Sequence, residues 1–170
     1  MTGRTESSPW AALREAARSS MEQAYAPYSG YRVGAALEAQ DGRRFGGCNV
    51  ENASYPVTMC AERVALGAAV RAGARRFRRL YICVSGERPA SPCGMCRQAL
   101  AEFGLGLEVR SEGASGETMH WTLGDLLPGA FAFEPSVGRA AEARSGKAER
   151  PDATETDGPL GEPRPEKDRR

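Results

Sequence analysis

Arg79-Leu80-Tyr81-Ile82-Cys83-Val84-Ser85 is the stretch that decides the fold. Its five central residues are apolar without a break, the pattern of a strand covered on both faces. Upstream, Cys60 to Ala72 reads as a helix stopped by Gly73; downstream, Cys93 to Phe103 reads as a helix stopped by Gly104. Farther out, Tyr31 to Ala39 and Arg43 to Val50 form a hairpin around the turn signal Asp41-Gly42. Leu107 to Arg110 and Thr118 to Leu123 read as two short strands, and Leu123 to Leu127 as a helical turn. At the other end, Ser8 as N-cap and Pro9 at the first helical position open a helix. Trp10, Leu13, Ala17, Met21 and Ala24 give it one apolar stripe, and Pro27 ends it. The order is helix, hairpin, helix, strand, helix, strand, strand. It predicts an α/β fold, a three-layer α/β/α sandwich around a five-stranded mixed sheet.

The chain has 170 residues and a net charge of +1. That balance gives no support for a polyanionic partner, so no nucleic acid is expected. No run of about 18 apolar residues occurs, so no membrane span is expected. Met1 to Ser8 are polar and lack an apolar signal core, and the five cysteines are odd in number. Both facts favour reduced thiols and a cytoplasmic location over a disulfide framework. From Gly138 to Arg170 there are eight basic and eight acidic residues and no aromatic residue. Such a segment cannot bury enough apolar area to offset its ordering entropy. The expected organisation is a flexible stretch at 1–8, one domain at 9–135 and a disordered charged tail at 136–170.

Two motifs carry chemistry. Cys60-Ala61-Glu62 is followed by Pro92-Cys93-Gly94-Met95-Cys96. Three thiols at this spacing can hold one Zn²⁺ and leave its fourth position open, the arrangement of hydrolytic rather than structural zinc sites. Cys60 falls in the first turn of one predicted helix, and Cys93 and Cys96 in the first turn of another. Helix N-termini stabilise thiolates, and residues three apart share a helical face. Glu62 reads as a proton carrier beside the open position, or as a first-turn glutamate favouring the helix dipole. Arg63 reads as a donor that offsets the charge of three thiolates, or as a solvated helix residue. Cys48 and Cys83 fall in predicted strands and read as small core residues, or as a fourth thiol that would close the site into a structural one; His120 is assigned no role. Asn49 and Glu51 point to the same side of an extended segment. They can bind a sugar diol or serve turn chemistry.

Further stretches join these motifs: Ala26-Pro27-Tyr28-Ser29, Val33-Gly34-Ala35-Ala36, Gly47 to Ala53, Ser91 to Gln98, and Leu126 to Phe131. Together they resemble the small homotetrameric, three-cysteine branch of the zinc-dependent cytidine deaminases over about Trp10 to Phe133. The resemblance implies hydrolytic deamination of cytidine and 2′-deoxycytidine to the uracil nucleosides and ammonia, a step of pyrimidine salvage. It implies one Zn²⁺ per subunit on Cys60, Cys93 and Cys96, with Glu62 moving protons between water, N3 and the leaving amine. It implies base-edge contacts from the Ala61 N–H and the Ser91 carbonyl, and ribose contacts from Asn49 and Glu51. Tyr31 stands where the family usually has a phenylalanine against the base. Phe131 and Tyr55 are implied to reach across subunit interfaces, so that a homotetramer shares its active sites.

Three other readings compete. A polynucleotide cytosine deaminase would use the basic cluster Arg71, Arg75, Arg76, Arg78 and Arg79. A blasticidin-type deaminase shares the metal motif but resembles the chain less around Asn49 to Ala53. A structural zinc module would need a fourth protein ligand.

Overall fold

The computed structural model describes residues 9–133; the expectations for 1–8 and 136–170 fall outside the described residues. The elements are α1 (Pro9–Glu22), β1 (Val33–Ala39), β2 (Arg44–Cys48), a 3-10 turn (Tyr55–Val57), α2 (Ala61–Arg71), β3 (Phe77–Val84), α3 (Gly94–Ala101), β4 (Glu108–Glu112), β5 (Thr118–Thr122) and α4 (Leu123–Leu126). The five strands make one mixed sheet in the order β2-β1-β3-β4-β5. β1 is antiparallel to β2 and to β3, β3 and β4 are parallel, and β5 is antiparallel to β4. The expected α/β sandwich with a five-stranded mixed sheet is what forms.

β3 is the middle strand, and Leu80 to Val84 are each no more than 4% exposed. Its alternate residues face opposite layers, as the pleat dictates. Leu80, Ile82 and Val84, with Ala35 and Leu37 of β1, pack on Ala61, Ala65, Leu66 and Ala69 of α2 and Leu100 of α3. Tyr81 and Cys83, with Ala36 of β1, pack on Leu13 and Ala17 of α1. One helix therefore covers one face and two cover the other.

Two glycines set how closely these layers approach. A Cβ on Gly34 would stand 2.1 Å from the Ala17 carbonyl oxygen of α1. A Cβ on Gly47 would stand 2.4 Å from the Ala65 nitrogen and 2.5 Å from the Ala61 oxygen of α2. Helix backbone lies directly on strand backbone at both points, which only a residue without a side chain permits. Gly47 thereby fixes the first turn of α2 over the end of β2.

The face under α1 is partly ionic. Glu112, 2% exposed, accepts two hydrogen bonds of 2.5 Å from Arg14 and one of 2.9 Å from the Tyr81 hydroxyl, with Arg18 at 3.6 Å. The Arg14 hydrogen bonds, with help from Tyr81 and the arginine charges, hold its carboxyl below the ordinary range.

Element boundaries differ from the sequence reading in a few informative places. α2 begins at Ala61 and α3 at Gly94, so Cys60 and Cys93 are N-caps and not first-turn residues. α1 ends at Glu22, well before Pro27. β3 begins earlier, at Phe77, which pairs with Ala39 of β1. β4 continues to Glu112, since Ser111 and Glu112, both buried although polar, still pair with Ile82 and Cys83 of β3.

Candidate active site

The N-termini of α2 and α3 meet at one end of the sheet. Cys60 and Cys93 cap them with extended backbone and no side-chain cap bond, which leaves both sulfurs free for other partners. Cys96 sits in the first turn of α3 and is fully buried. Cys60 Sγ lies 3.7 Å from Cys93 Sγ, and Cys93 Sγ lies 3.5 Å from Cys96 Sγ. All three sulfurs fall within 4.8 Å of one another. Tetrahedral zinc with Zn–S bonds near 2.3 Å needs sulfurs about 3.8 Å apart. The donor set therefore fits one Zn²⁺. Among the described residues no fourth His, Cys, Asp or Glu joins this group. Cys83 is instead buried under α1, and Cys48 donates to the Gln23 carbonyl.

One of the three sulfurs, that of Cys60, is prepared to lose its proton. Hydrogen bonding from Cys96, and then from Cys93 and Arg63, lowers Cys60 to about 5 despite its partial burial. Cys96 shifts upward, as the partner that keeps its proton for Cys60 and is buried. Arg63 is part-buried. Its Nη2 donates to the Thr58 carbonyl at 2.8 Å, and its buried Nε meets no nitrogen or oxygen partner. Burial opposes its charge, but the hydrogen bond and charge of Cys60, joined by Cys96, raise its pKa. It is thus not a solvated helix residue.

A cleft of ≈ 360 Å³ opens beside the sulfurs. Its lining brings together Tyr31, Asn49, Glu51, Tyr55, Cys60, Ala61, Glu62, Ser91 and Cys93. Glu62 is 5% exposed at the second position of α2. Burial, and after it the charge of Cys60, pushes its carboxyl up. Its proton is therefore held nearer to neutral pH than an open glutamate would hold it.

Asn49 and Glu51 are 8% and 6% exposed, while Val50 between them is 43% exposed, the alternation expected of an extended segment. Asn49 Nδ2 donates to the Tyr31 carbonyl, and its Oδ1 accepts from the Val33 N–H, both at 2.8 Å. Glu51 Oε2 accepts from the N–H groups of Tyr28 and Ser29, and Oε1 accepts from the Ser29 hydroxyl. That hydroxyl in turn accepts from the Tyr31 N–H at 2.9 Å. The pair therefore holds the 28–33 segment in place while facing the cleft. The Tyr31 ring lies over Gly86, where a Cβ would come within 2.8 Å of Cε2. Phe131 does not line this cleft and is 71% exposed.

Three residues had no role in the sequence reading and have one here. Ser29 links Glu51 to Tyr31. Arg97 donates to the Pro92 carbonyl at 2.7 Å, the Leu126 carbonyl at 2.8 Å and the Ser91 hydroxyl at 2.9 Å. Gln98 pairs with the Phe131 main chain. Arg97 and Gln98 directly follow Cys96, which was their signal, but their partners lie up to 33 residues away.

Residues 10–109 match the family model described as the cytidine and deoxycytidylate deaminase zinc-binding region. A cytidine deaminase of Sporosarcina psychrophila is 49% identical over 114 residues, 66% of this chain and 84% of that protein. The crystal structure of cytidine deaminase from Burkholderia pseudomallei superposes with a TM-score of 0.68 at 49% identity, covering 71% of this chain and 97% of that one. The crystal structure of the Mycobacterium tuberculosis enzyme gives a TM-score of 0.64 at 40% identity, covering 73% and 98%. A sulfur triad open on one side, a buried carboxyl beside it and these relatives lead to one conclusion: the chain belongs to the cytidine and deoxycytidylate deaminase family.

Proposed function

We propose that this protein hydrolyses cytidine and 2′-deoxycytidine to uridine and 2′-deoxyuridine, releasing ammonia. The observation that carries the reading is the buried carboxyl of Glu62 in a nucleoside-sized cleft beside three sulfurs spaced for one metal ion. Cys60, Cys93 and Cys96 would hold one Zn²⁺ per subunit. Bound there, the ion supplies Lewis acidity and a water of lowered pKa.

The chain's own groups do the rest. Glu62 takes a proton from the attacking water and delivers it to N3 of the pyrimidine, then passes the second proton to the departing amine. Its raised pKa suits a group that must both accept and give. The Ala61 N–H and the Ser91 carbonyl read the base edge, and the Tyr31 ring packs on the base. Asn49 has one amide hydrogen beyond the one that Tyr31 takes, and Glu51 has lone pairs beyond those used by Tyr28 and Ser29. Those groups bind the ribose hydroxyls. Arg63 offsets the negative charge of three thiolates, so that the site is not electrostatically closed to a nucleophile.

The basic cluster does not favour a polynucleotide substrate. Arg71 ends α2, whose start carries the metal cysteines. Eleven helical residues at 1.5 Å each put Arg71 about 16 Å along α2 from the end that carries the metal cysteines. Arg75 and Arg78 are spent on the carbonyls of Val70, Ala74 and Gln40, and Arg79 on Glu38.

The same reading includes a homotetramer with shared active sites. Tyr25, Tyr28, Tyr55, Val57, Met59, Phe131 and Phe133 are all exposed, and so much open apolar surface supports a contact face. A cytoplasmic location suits thiols that must stay reduced. No described helix is long and apolar enough to cross a membrane. Loss of the cytidine absorbance band during incubation with purified, zinc-quantified protein tests the function. Zinc-replete protein that leaves cytidine and deoxycytidine unchanged would overturn it.

A further inference from the structure

Phe131 is held by an unusual device. Gln98 Nε2 donates to the Phe131 carbonyl at 2.8 Å, and Gln98 Oε1 accepts from the Phe131 N–H at 3.2 Å. One carboxamide thus pairs with both main-chain groups of one residue, as a neighbouring strand would. Such a pair fixes orientation as well as position. The next residue back, Arg97, binds the Leu126 carbonyl where this segment leaves α4. Two consecutive residues of α3 therefore fasten both ends of 126–131.

The ring so positioned has no work to do in its own subunit. It is 71% exposed, takes no part in either buried cluster and does not line the subunit's own cleft. Fixing the main chain of an outward-pointing phenylalanine has an ordering cost and buries little apolar area. The arrangement is explained if the ring is presented to another copy of the chain.

We propose that Gln98 is a positioning residue for the reaction: it sets nucleoside affinity in a neighbouring subunit by presenting Phe131 to that subunit's cleft. This rests on the shared-site reading above. Lost pairing should leave chemistry and zinc untouched, since the Gln98 side chain is hydrogen-bonded to Phe131 and does not line the cleft, and should weaken substrate binding.

The test is a double-mutant cycle on the zinc-loaded full chain: wild type, Gln98→Ala, Phe131→Ala and the double variant. KM for cytidine, kcat, zinc content and thermal midpoint are measured for each. Gln98→Ala is expected to raise KM about 3- to 10-fold with kcat within about 2-fold, and the double variant to match Phe131→Ala alone. Gln98→Glu keeps the acceptor for the Phe131 N–H but sets a carboxylate oxygen against the Phe131 carbonyl, so its KM is also expected to rise above wild type; it also serves if Gln98→Ala folds poorly. A merely structural role would give KM effects that multiply in the double variant, or a joint fall of kcat, zinc and midpoint at unchanged KM. Either result overturns the proposal. An inactive wild type would sink the proposed function and this inference together. An active wild type with unchanged KM in Gln98→Ala and Gln98→Glu would sink this inference alone.

Discussion

Glu62 shows how much one side chain owes to its surroundings. On an open helix it would be an ordinary first-turn acid. Here it is 5% exposed, and burial with the Cys60 charge raises its proton affinity. Glu62→Gln keeps the volume and removes the exchangeable proton. It is expected to retain one zinc per subunit and lose about 10³-fold in kcat, checked by metal analysis and cytidine turnover on one sample. A variant with near-normal turnover would show that another group moves the proton. Arg63 makes the same point from the other side. Sequence alone left it divided between a solvated residue and a donor to sulfur, and its partial burial beside Cys60 and Cys96 supports the second reading.

At the scale of elements, the site depends on where two helices begin, and that depends on packing elsewhere. Gly47 brings α2 onto β2, with Ala61 and Ala65 backbone atoms 2.4 to 2.5 Å from where a Cβ would stand. The obstacle is backbone, which cannot swing aside. Gly47→Ala should therefore push the first turn of α2 off the sheet. The expected loss is about 1–3 kcal/mol of stability, with weakened zinc retention because Cys60 moves. Unchanged zinc affinity in a competition with a chelator would disprove the link. α1 is tied down differently, by Arg14 and Arg18 on Glu112. The folded carboxyl titrates below its ordinary value of 4.5, so its stabilisation is present above about pH 4.5 and lost as pH falls through the depressed value. Glu112→Gln should cost about 1–2 kcal/mol at pH 7, discounted because the Arg14 side chain is 46% exposed. The gap to wild type should narrow towards pH 3 in denaturant titrations; a gap independent of pH would refute the charge argument. The same elements mark what could be read from sequence. Leu80 to Val84 announced β3 because a central strand must be apolar on both sides, and the cysteine spacing announced the metal because all three ligands sit at two helix starts. The end of β4 was hidden, since burial of Glu112 depends on Arg14, 98 residues away. The helix starts were read one residue early, since cysteine is no customary N-cap and takes that place here to free its sulfur. The Gln98 contact was invisible for the same reason as the Glu112 one: a carboxamide carries no local sign of the distant peptide it will meet.

At the scale of the molecule, the distribution of exposed aromatics argues against a self-sufficient subunit. Tyr55 lines the cleft yet is 73% exposed, Phe131 stands 71% exposed on the segment that Gln98 fastens, and Phe133 is 75% exposed just beyond it. Buried against a second copy, each aromatic ring contributes roughly 2 kcal/mol or more to association. Left in water they contribute nothing and invite aggregation. If the cleft is completed across an interface, sites and subunits are different units, and mixing can separate them. Glu62→Gln chains carry an intact Phe131 but no proton carrier. Phe131→Ala chains carry Glu62 but no ring to lend. Co-expressed and purified through two different tags, the hybrid should show a turnover component with wild-type KM that neither parent has. That component arises at sites whose own subunit is Phe131→Ala and whose neighbour is Glu62→Gln. A hybrid that keeps the raised KM of the Phe131→Ala parent throughout would mean that each subunit closes its own cleft. The exposed ring would then need another purpose.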